Sequence, residues 1–139
     1  MSVHIQTELY NQLVHYCRNS LPFEACGLIT GKLTPLTIDA VSLIPLRNHA
    51  SNPLQHFQIN PPEIIPYLMD TTIQIVGIFH SHPTAPPTPS EEDLATLWHT
   101  IPSHWILSLH DPNQVDLQIY HIKKATPTQI RKLTFVIGQ

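Results

Sequence analysis

The sequence predicts a mixed α/β or α+β fold, in which helices pack on a curved, mixed β-sheet. Strand-forming and helix-forming patterns alternate along the whole chain, and residues 73–79 form a nearly continuous apolar, β-branched run typical of a strand buried on both faces. No repeat period or Gly/Ser-rich linker divides the 139 residues, so we expect one domain over residues 1–139 with a sizeable core.

The first half of the chain predicts two helices and three strands. Apolar side chains lie on one stripe of a helix that Pro22 ends, and they are Leu9, Tyr10, Leu13, Val14 and Cys17. The prolines at positions 61 and 62 are tolerated in the first turn of a second helix. The expected elements are a helix over residues 7–18, strands over 26–31 and 36–44, a turn over 47–53, a brief strand over 57–59 and a helix over 61–69.

The second half of the chain predicts a third helix between strands. The proline-rich segment 83–89 must be a loop. Ser90 then starts a helix, and the acidic side chains of its first turn complement the helix dipole. Strands are expected over residues 73–79, 105–109, 115–122 and 133–137.

The composition and the N-terminal sequence limit which binding partners and which cellular compartment we expect. Charged residues make up 12% of the chain, against a usual ~25%, and the net charge of -3 gives no attraction toward nucleic acid or an anionic membrane. The N-terminus shows no signal segment, and no apolar run approaches the ~20 residues that span a bilayer, so we expect a cytoplasmic protein. The low charge is consistent with either an apolar groove or self-association as a homodimer.

A metal-ligand pattern follows the buried strand. His80 and His82 are two residues apart at the strand's end, so both imidazoles point to the same face, and Asp93 in the next helix can return to that face. Two neutral nitrogens and one carboxylate leave the fourth position of a tetrahedron free, which is the ligand set of a catalytic zinc. The sequence therefore predicts one zinc ion per chain, bound by these three side chains.

Each part of this pattern also has a simpler explanation. With ten histidines in the chain, one His-x-His pair is expected by chance. Ser90 and Asp93, taken alone, fit the N-cap and the first turn of an ordinary helix. The joint spacing of all four residues is what makes the pattern specific.

The same residues resemble the signature of a known family. His-Ser-His-Pro at residues 80–83, followed by Ser90 and Asp93, is similar to the signature of the JAMM (MPN+) metalloproteases. That family also carries a glutamate upstream, and Glu24 stands just before a Cys-Gly-Leu segment here. The likeness extends over residues 1 to about 122 and is closest to the compact stand-alone prokaryotic members. Weaker matches lie at Asn48, at residues 57–61 and at residues 76–78.

The resemblance implies a cytidine-deaminase-like JAMM/MPN fold and the mechanism of a zinc metallopeptidase. Zinc would lower the pKa of a bound water from 15.7 toward ~7 and polarise the scissile carbonyl. Glu24, which does not bind the metal, would take the proton of that water and pass it to the leaving amine. The Ser90 hydroxyl would donate to the developing oxyanion, a contact of about 2.7–4 kcal/mol. Without the resemblance, Glu24 is expected to be an ordinary surface carboxylate at a helix–strand junction.

The implied substrate is a ubiquitin-like protein or, for small prokaryotic members, a sulfur-carrier protein with a Gly-Gly C-terminal tail. Hydrolysis of the peptide or isopeptide bond after that tail would release an amino acid, trim the carrier or free it from a lysine, with the extended tail bound by strand addition. Two other classes stay open. One is a non-catalytic MPN-type interaction module, although the presence of all five site residues argues against it. The other is a zinc amidase acting on small substrates.

Several further residues are expected to have structural roles. Ser81 should face the opposite side of the strand, and Cys26 is expected to be a buried small side chain rather than a redox group or a thiolate that blocks the zinc. Three later histidines are expected to be structural or to fix the tautomer of a ligand: His99, His104 and His110. Four prolines are expected to stiffen the ligand loop: Pro83, Pro86, Pro87 and Pro89. Two tryptophans are assigned to the core or to an interface: Trp98 and Trp105.

Overall fold

The computed structural model describes residues 1–95, 98 and 100–138. In this part of the chain, strands and helices alternate, which confirms the mixed α+β fold class. The elements in chain order are β1 (Ser2–Ile5), α1 (Thr7–Ser20), β2 (Cys26–Leu33), β3 (Thr37–Leu46), α2 (Pro61–Met69), β4 (Ile75–His82), α3 (Glu91–Leu94), β5 (His104–Asp111), β6 (Gln114–Lys123) and β7 (Gln129–Ile137).

The sheet closes into a barrel with the strand order β1-β3-β2-β4-β5-β6-β7. The closing strand is β1, which pairs in parallel with β3 on one side and with β7 on the other. This strand is not predicted from the sequence, because four residues with two apolar side chains are too short for a periodicity to be recognised. Val3 and Ile5 are fully buried, so the short strand is anchored by the core.

The two largest of three apolar clusters in the described residues lie on opposite faces of the sheet. The larger one packs α1 against the sheet, with Leu13 next to buried side chains such as Phe79 and Trp105. The second packs Ile64 of α2 against side chains that include Ile78. Because side chains alternate along a strand, β4 contributes Phe79 to one cluster and Ile78 to the other. This confirms the prediction that the apolar run forms a strand buried on both faces.

The structure corrects one predicted element and extends several others. Residues 57–59, predicted as a brief strand, lie in an irregular segment instead. The backbone groups of Gln58 already have partners, because its N–H donates to the Asn48 side chain at 3.1 Å and its carbonyl accepts from the His49 N–H at 2.8 Å. The largest extension is at β7, which begins at Gln129 rather than at position 133.

The two tryptophans lie in or against the two clusters. Trp105 is fully buried, and its indole N–H donates to the Ser103 hydroxyl at 2.8 Å, while Ser103 donates to the Val76 carbonyl at 2.6 Å. Trp98 packs, partly buried, against the second cluster. In the described part of the chain, no helix combines the length and the apolar character that crossing a bilayer requires.

Replacing Ile5 by alanine should destabilise the barrel at its closing strand. Loss of a fully buried isoleucine side chain leaves a cavity, and we expect the free energy of unfolding in urea to fall by about 2–5 kcal/mol. The neighbouring His4→Ala change removes an exposed side chain from the same strand and should cost no more than about 0.5 kcal/mol. Equal effects of the two substitutions would contradict the packing of β1.

Candidate metal centre

Strand β4 brings two imidazoles to one face of the sheet. His80 and His82 are both 5% exposed and lie in the last three residues of the strand, as predicted from their spacing. His80 is paired with Cys26 of β2 and with Ile106 of β5, so the strand is held on both sides at this position. The backbone on which the two histidines stand is therefore fixed by hydrogen bonds to both neighbouring strands.

Helix α3 brings the Asp93 carboxylate to the same face. Its Oδ2 atom lies 3.1 Å from Nε2 of His80 and 3.3 Å from Nε2 of His82, and the two Nε2 atoms are 3.1 Å apart. We call these three residues the metal centre, because together they form a group that could hold a metal ion. Ligand atoms placed about 2.0–2.1 Å from a tetrahedral zinc lie about 3.3 Å from one another, so this triangle matches three corners of such a site.

The protonation of His82 is set by a carbonyl of the segment that follows β4. Nδ1 of His82 lies 2.8 Å from the carbonyl oxygen of Pro86. A carbonyl can only accept, so Nδ1 carries the proton and the lone pair of a neutral ring lies on Nε2, on the side of Asp93 and His80. Metal-binding histidines commonly use their second nitrogen in this way, and the contact therefore orients the ring as a ligand.

Burial and hydrogen bonding favour the cation-binding forms of His80 and Asp93, but not that of His82. The ring of Phe57 stacks on His80 with centroids 4.3 Å apart, and burial lowers the pKa of His80, which keeps the ring neutral. Burial also lowers the pKa of His82, but hydrogen bonds to Asp93 and Pro86 outweigh it and raise the pKa overall, which favours a doubly protonated ring that must lose its Nε2 proton before it can bind a cation. Burial opposes ionisation of Asp93, yet its hydrogen bonds with His80 and His82 hold its pKa well below the usual range.

Ser90 is the N-cap of α3 and forms a capping box with Asp93. Its hydroxyl oxygen accepts from the Asp93 N–H at 3.1 Å, and the Asp93 carboxylate accepts from the Ser90 N–H at 2.9 Å. The simpler explanation of this pair, a helix start, is thus what the structure shows. It does not exclude a second role, because the capping box uses the hydroxyl oxygen only as an acceptor and leaves its proton available to a substrate.

Glu24 lies at the junction between α1 and β2 and is 6% exposed, so the expectation of an ordinary surface carboxylate is wrong. Burial raises the pKa of its carboxyl to about 7, with His82 acting in the opposite direction and Asp93 adding to the increase. These mutual effects show that the carboxyl shares the electrostatic environment of the metal centre. The structure therefore brings together all five residues singled out from the sequence.

Asn48, which the sequence analysis noted only as a weaker match, fixes the backbone on which Glu24 stands. Its side-chain NH₂ donates to the Glu24 carbonyl at 3.0 Å and to the His56 carbonyl at 2.9 Å. Its side-chain oxygen accepts from the Ala50 and Gln58 N–H groups. One side chain thus connects the junction of Glu24 to the irregular segment that carries Phe57.

The other residues singled out from the sequence have structural positions. Ser81 faces away from the metal centre as predicted, and its hydroxyl accepts from the Ala25 N–H at 2.8 Å. Cys26 is fully buried, and burial raises the pKa of its thiol to about 12, which opposes a thiolate that could block zinc. His104 is buried at the start of β5, and His110 contacts the Ser108 hydroxyl at 2.6 Å. His99 lies outside the described residues.

A groove runs beside the metal centre. One wall is the segment 55–59 with Pro61, and the other wall includes Asp93, Ala95 and Trp98. His56 and Glu92 approach to 2.9 Å across it as an ion pair. Because Asp93 forms part of one wall, a peptide segment lying in the groove would reach the metal centre.

A family model for prokaryotic homologs of the JAB domain matches residues 6–122. The chain belongs to this family. A solution structure of a protein from Desulfitobacterium hafniense superposes with a TM-score of 0.83 at 27% identity, over 100% of this chain and 94% of that one. A JAB1/MPN domain protein from Archaeoglobus fulgidus has the same fold, with a TM-score of 0.59 at 21% identity over 98% of this chain and 99% of that one. The resemblance stated from the sequence is confirmed.

Two curated relatives are named desampylase. The one from Pyrococcus furiosus is 33% identical over 89 residues, which are 58% of this chain and 60% of that protein. The one from Haloferax volcanii is 32% identical over 75 residues, 52% of each chain. The chain thus spans little more than half the length of the curated relatives it matches.

Replacing Glu24 by glutamine should change the pH dependence of stability in the metal-free protein. A carboxyl whose pKa rises from 4.5 unfolded to about 7 folded favours the folded state at low pH, and this contribution is lost as pH rises through that window. The variant should therefore gain stability over wild type as pH rises, by at most about 3 kcal/mol, as measured by urea unfolding. A difference that stays constant across this pH range would contradict the burial of Glu24.

Proposed function

We propose that this chain is a zinc-dependent peptidase or isopeptidase that hydrolyses the bond after the C-terminal tail of a ubiquitin-like or sulfur-carrier protein in the cytoplasm. The observation that carries the proposal is the triangle of ligand atoms in the metal centre, with sides of 3.1–3.3 Å, beside a buried carboxyl. The two curated relatives named desampylase support the proposal.

The residues of the metal centre would hold one zinc ion. Two imidazole nitrogens and one carboxylate oxygen suit zinc, and with three protein ligands a fourth position stays open, as in catalytic sites. When bound, zinc supplies a Lewis acid that polarises the scissile carbonyl and makes a water more acidic. The carbonyl of Pro86 keeps His82 in the tautomer that such binding requires.

Glu24 and Ser90 would move protons and stabilise charge. The buried Glu24 carboxyl, which is 6% exposed, would accept the proton of the attacking water and return it to the leaving amine. The Ser90 hydroxyl, whose oxygen already accepts from the helix backbone, would donate its proton to the oxyanion. The N-cap role and the catalytic role use different parts of the same hydroxyl.

The groove provides a place for an extended tail. A tail ending in Gly-Gly presents backbone without bulky side chains, so its last carbonyl can approach the metal centre along the wall formed by residues 55–59. Phe57 belongs to this wall and also stacks on His80, so the surface that would contact the tail also contacts a residue of the metal centre.

The purified protein should contain about one zinc ion per chain, as measured by elemental analysis. His80→Ala should weaken zinc binding by more than about 100-fold, because loss of an outer hydrogen-bond partner alone costs up to that much. His15→Ala, which changes an exposed histidine on α1, serves as the matched control and should leave the zinc content unchanged. Wild-type protein that binds no zinc would exclude the enzyme and leave the non-catalytic interaction module.

Glu24→Gln should retain zinc and lose hydrolysis of a Gly-Gly-tailed ubiquitin-like protein fused to a peptide or linked to a lysine. Removal of a general base typically costs about 10²–10⁴-fold in rate. The control is Glu8→Gln, an exposed carboxyl in the first turn of α1, which should cleave as wild type does. If Glu24→Gln cleaves as fast as wild type, the assigned mechanism is wrong. If wild type cleaves small amides but none of the fusions, the amidase replaces the isopeptidase.

A further inference from the structure

Three consecutive carbonyl groups of the ligand loop, residues 83–89, accept hydrogen bonds from three different strands. The Ala85 carbonyl accepts from the Ser108 hydroxyl of β5 at 2.6 Å. The Pro86 carbonyl accepts from Nδ1 of His82 on β4 at 2.8 Å. The Pro87 carbonyl accepts from the Tyr120 hydroxyl of β6 at 2.6 Å. The middle bond of the three is the one that sets the tautomer of His82.

The composition of the loop explains why its carbonyls are used. Pro83, Pro86, Pro87 and Pro89 have no N–H, so at these positions the loop cannot donate to the sheet and can be attached only through its acceptors. The two residues that flank the Pro86 carbonyl are each held by a hydroxyl. Pro86 itself is exposed, and its carbonyl also accepts from the Thr88 N–H within the loop at 2.8 Å. The position of this carbonyl relative to the sheet therefore depends on the attachment of both neighbours.

The direction of the proton on Ser108 is fixed by its partners. Ser108 has one hydroxyl proton, and the Ala85 carbonyl can only accept it. The contact of 2.6 Å between the Ser108 oxygen and Nδ1 of His110 must then be a hydrogen bond that His110 donates, together with a longer one from its N–H. Ser108 is fully buried and lies opposite His82 in the register of β4 and β5, so this connection is built into the sheet.

We propose that Ser108 and Tyr120 are positioning residues of the metal centre: their hydroxyls fix the Pro86 carbonyl, and that carbonyl holds His82 with its Nε2 lone pair directed at the metal. The inference rests on the proposed function in that it takes the metal to be zinc. Neither hydroxyl contacts the metal centre itself, and each acts through one peptide unit of the loop.

The test measures the tautomer of His82 and the zinc affinity, neither of which requires a substrate. In the metal-free protein at alkaline pH, the ring ¹⁵N chemical shifts of His82 should show the proton on Nδ1 in wild type. Tyr120→Phe and Ser108→Ala should each give a mixture of the two tautomers. Zinc affinity, from competition with a chelator, should fall by about 10-fold in each variant, at the lower end of the effect of outer hydrogen-bond partners.

A matched control separates positioning from stability. Ser103→Ala also removes a buried serine hydroxyl that donates to a carbonyl at 2.6 Å, but that carbonyl belongs to Val76, far along β4 from the ligands. It should lower the melting temperature and leave the tautomer and the zinc affinity unchanged. Ser108→Thr retains the hydroxyl and should restore both readouts.

The outcomes distinguish this inference from the proposed function. Wild-type tautomer and zinc affinity in both Tyr120→Phe and Ser108→Ala would overturn the positioning role. So would an equal loss of zinc affinity in Ser103→Ala, since destabilisation alone would then suffice. If wild type binds zinc but cleaves no ubiquitin-like fusion, the proposed function fails while the effect of the hydroxyls stands. If wild type binds no zinc, the tautomer measurement still decides whether the hydroxyls orient His82.

Discussion

The alternation of side chains along β4 is the constraint on which the rest of the structure depends. One strand has to fill the large core with Phe79 and at the same time present ligands on the face opposite to it. Pairing with β2 and β5 on its two sides fixes the register, so the imidazoles of His80 and His82 cannot leave their face without moving the core. The stability of the barrel and the geometry of the metal centre are therefore set by the same hydrogen bonds.

The grouping of the three side chains of the metal centre could be predicted from the sequence because their spacing is a local property. Two histidines at i and i+2 share a face of any strand, and an acidic residue three positions after an N-cap serine returns to that cap. The bounds of α2 and the loop before α3 could be predicted for the same reason, since prolines restrict only their immediate neighbours. The family resemblance then added Glu24, which no local pattern distinguishes from the other glutamates.

What could not be predicted depends on residues that are distant in sequence. Glu24 is buried because Pro53 and Asn48 form hydrogen bonds with its backbone. The residues around position 24 show no pattern that would predict either contact. The strand β1 is defined by its partners β3 and β7, which begin at positions 37 and 129 and are both distant from it in sequence. The segment 57–59 was assigned wrongly because its extended, apolar pattern is the same whether the partner is a strand or the side chain of Asn48.

The ligand loop is attached through main-chain oxygen atoms, and these are present whatever side chain a residue carries. Thr84, Ala85 and Thr88 are exposed on this loop, so their side chains can change without removing any of the three acceptors. Substitutions of the exposed side chains of the loop can therefore be selected independently of the residues of the metal centre. Substitutions at these positions would change the surface offered to a substrate, while the hydroxyls of β5 and β6 still hold the loop at Ala85 and Pro87.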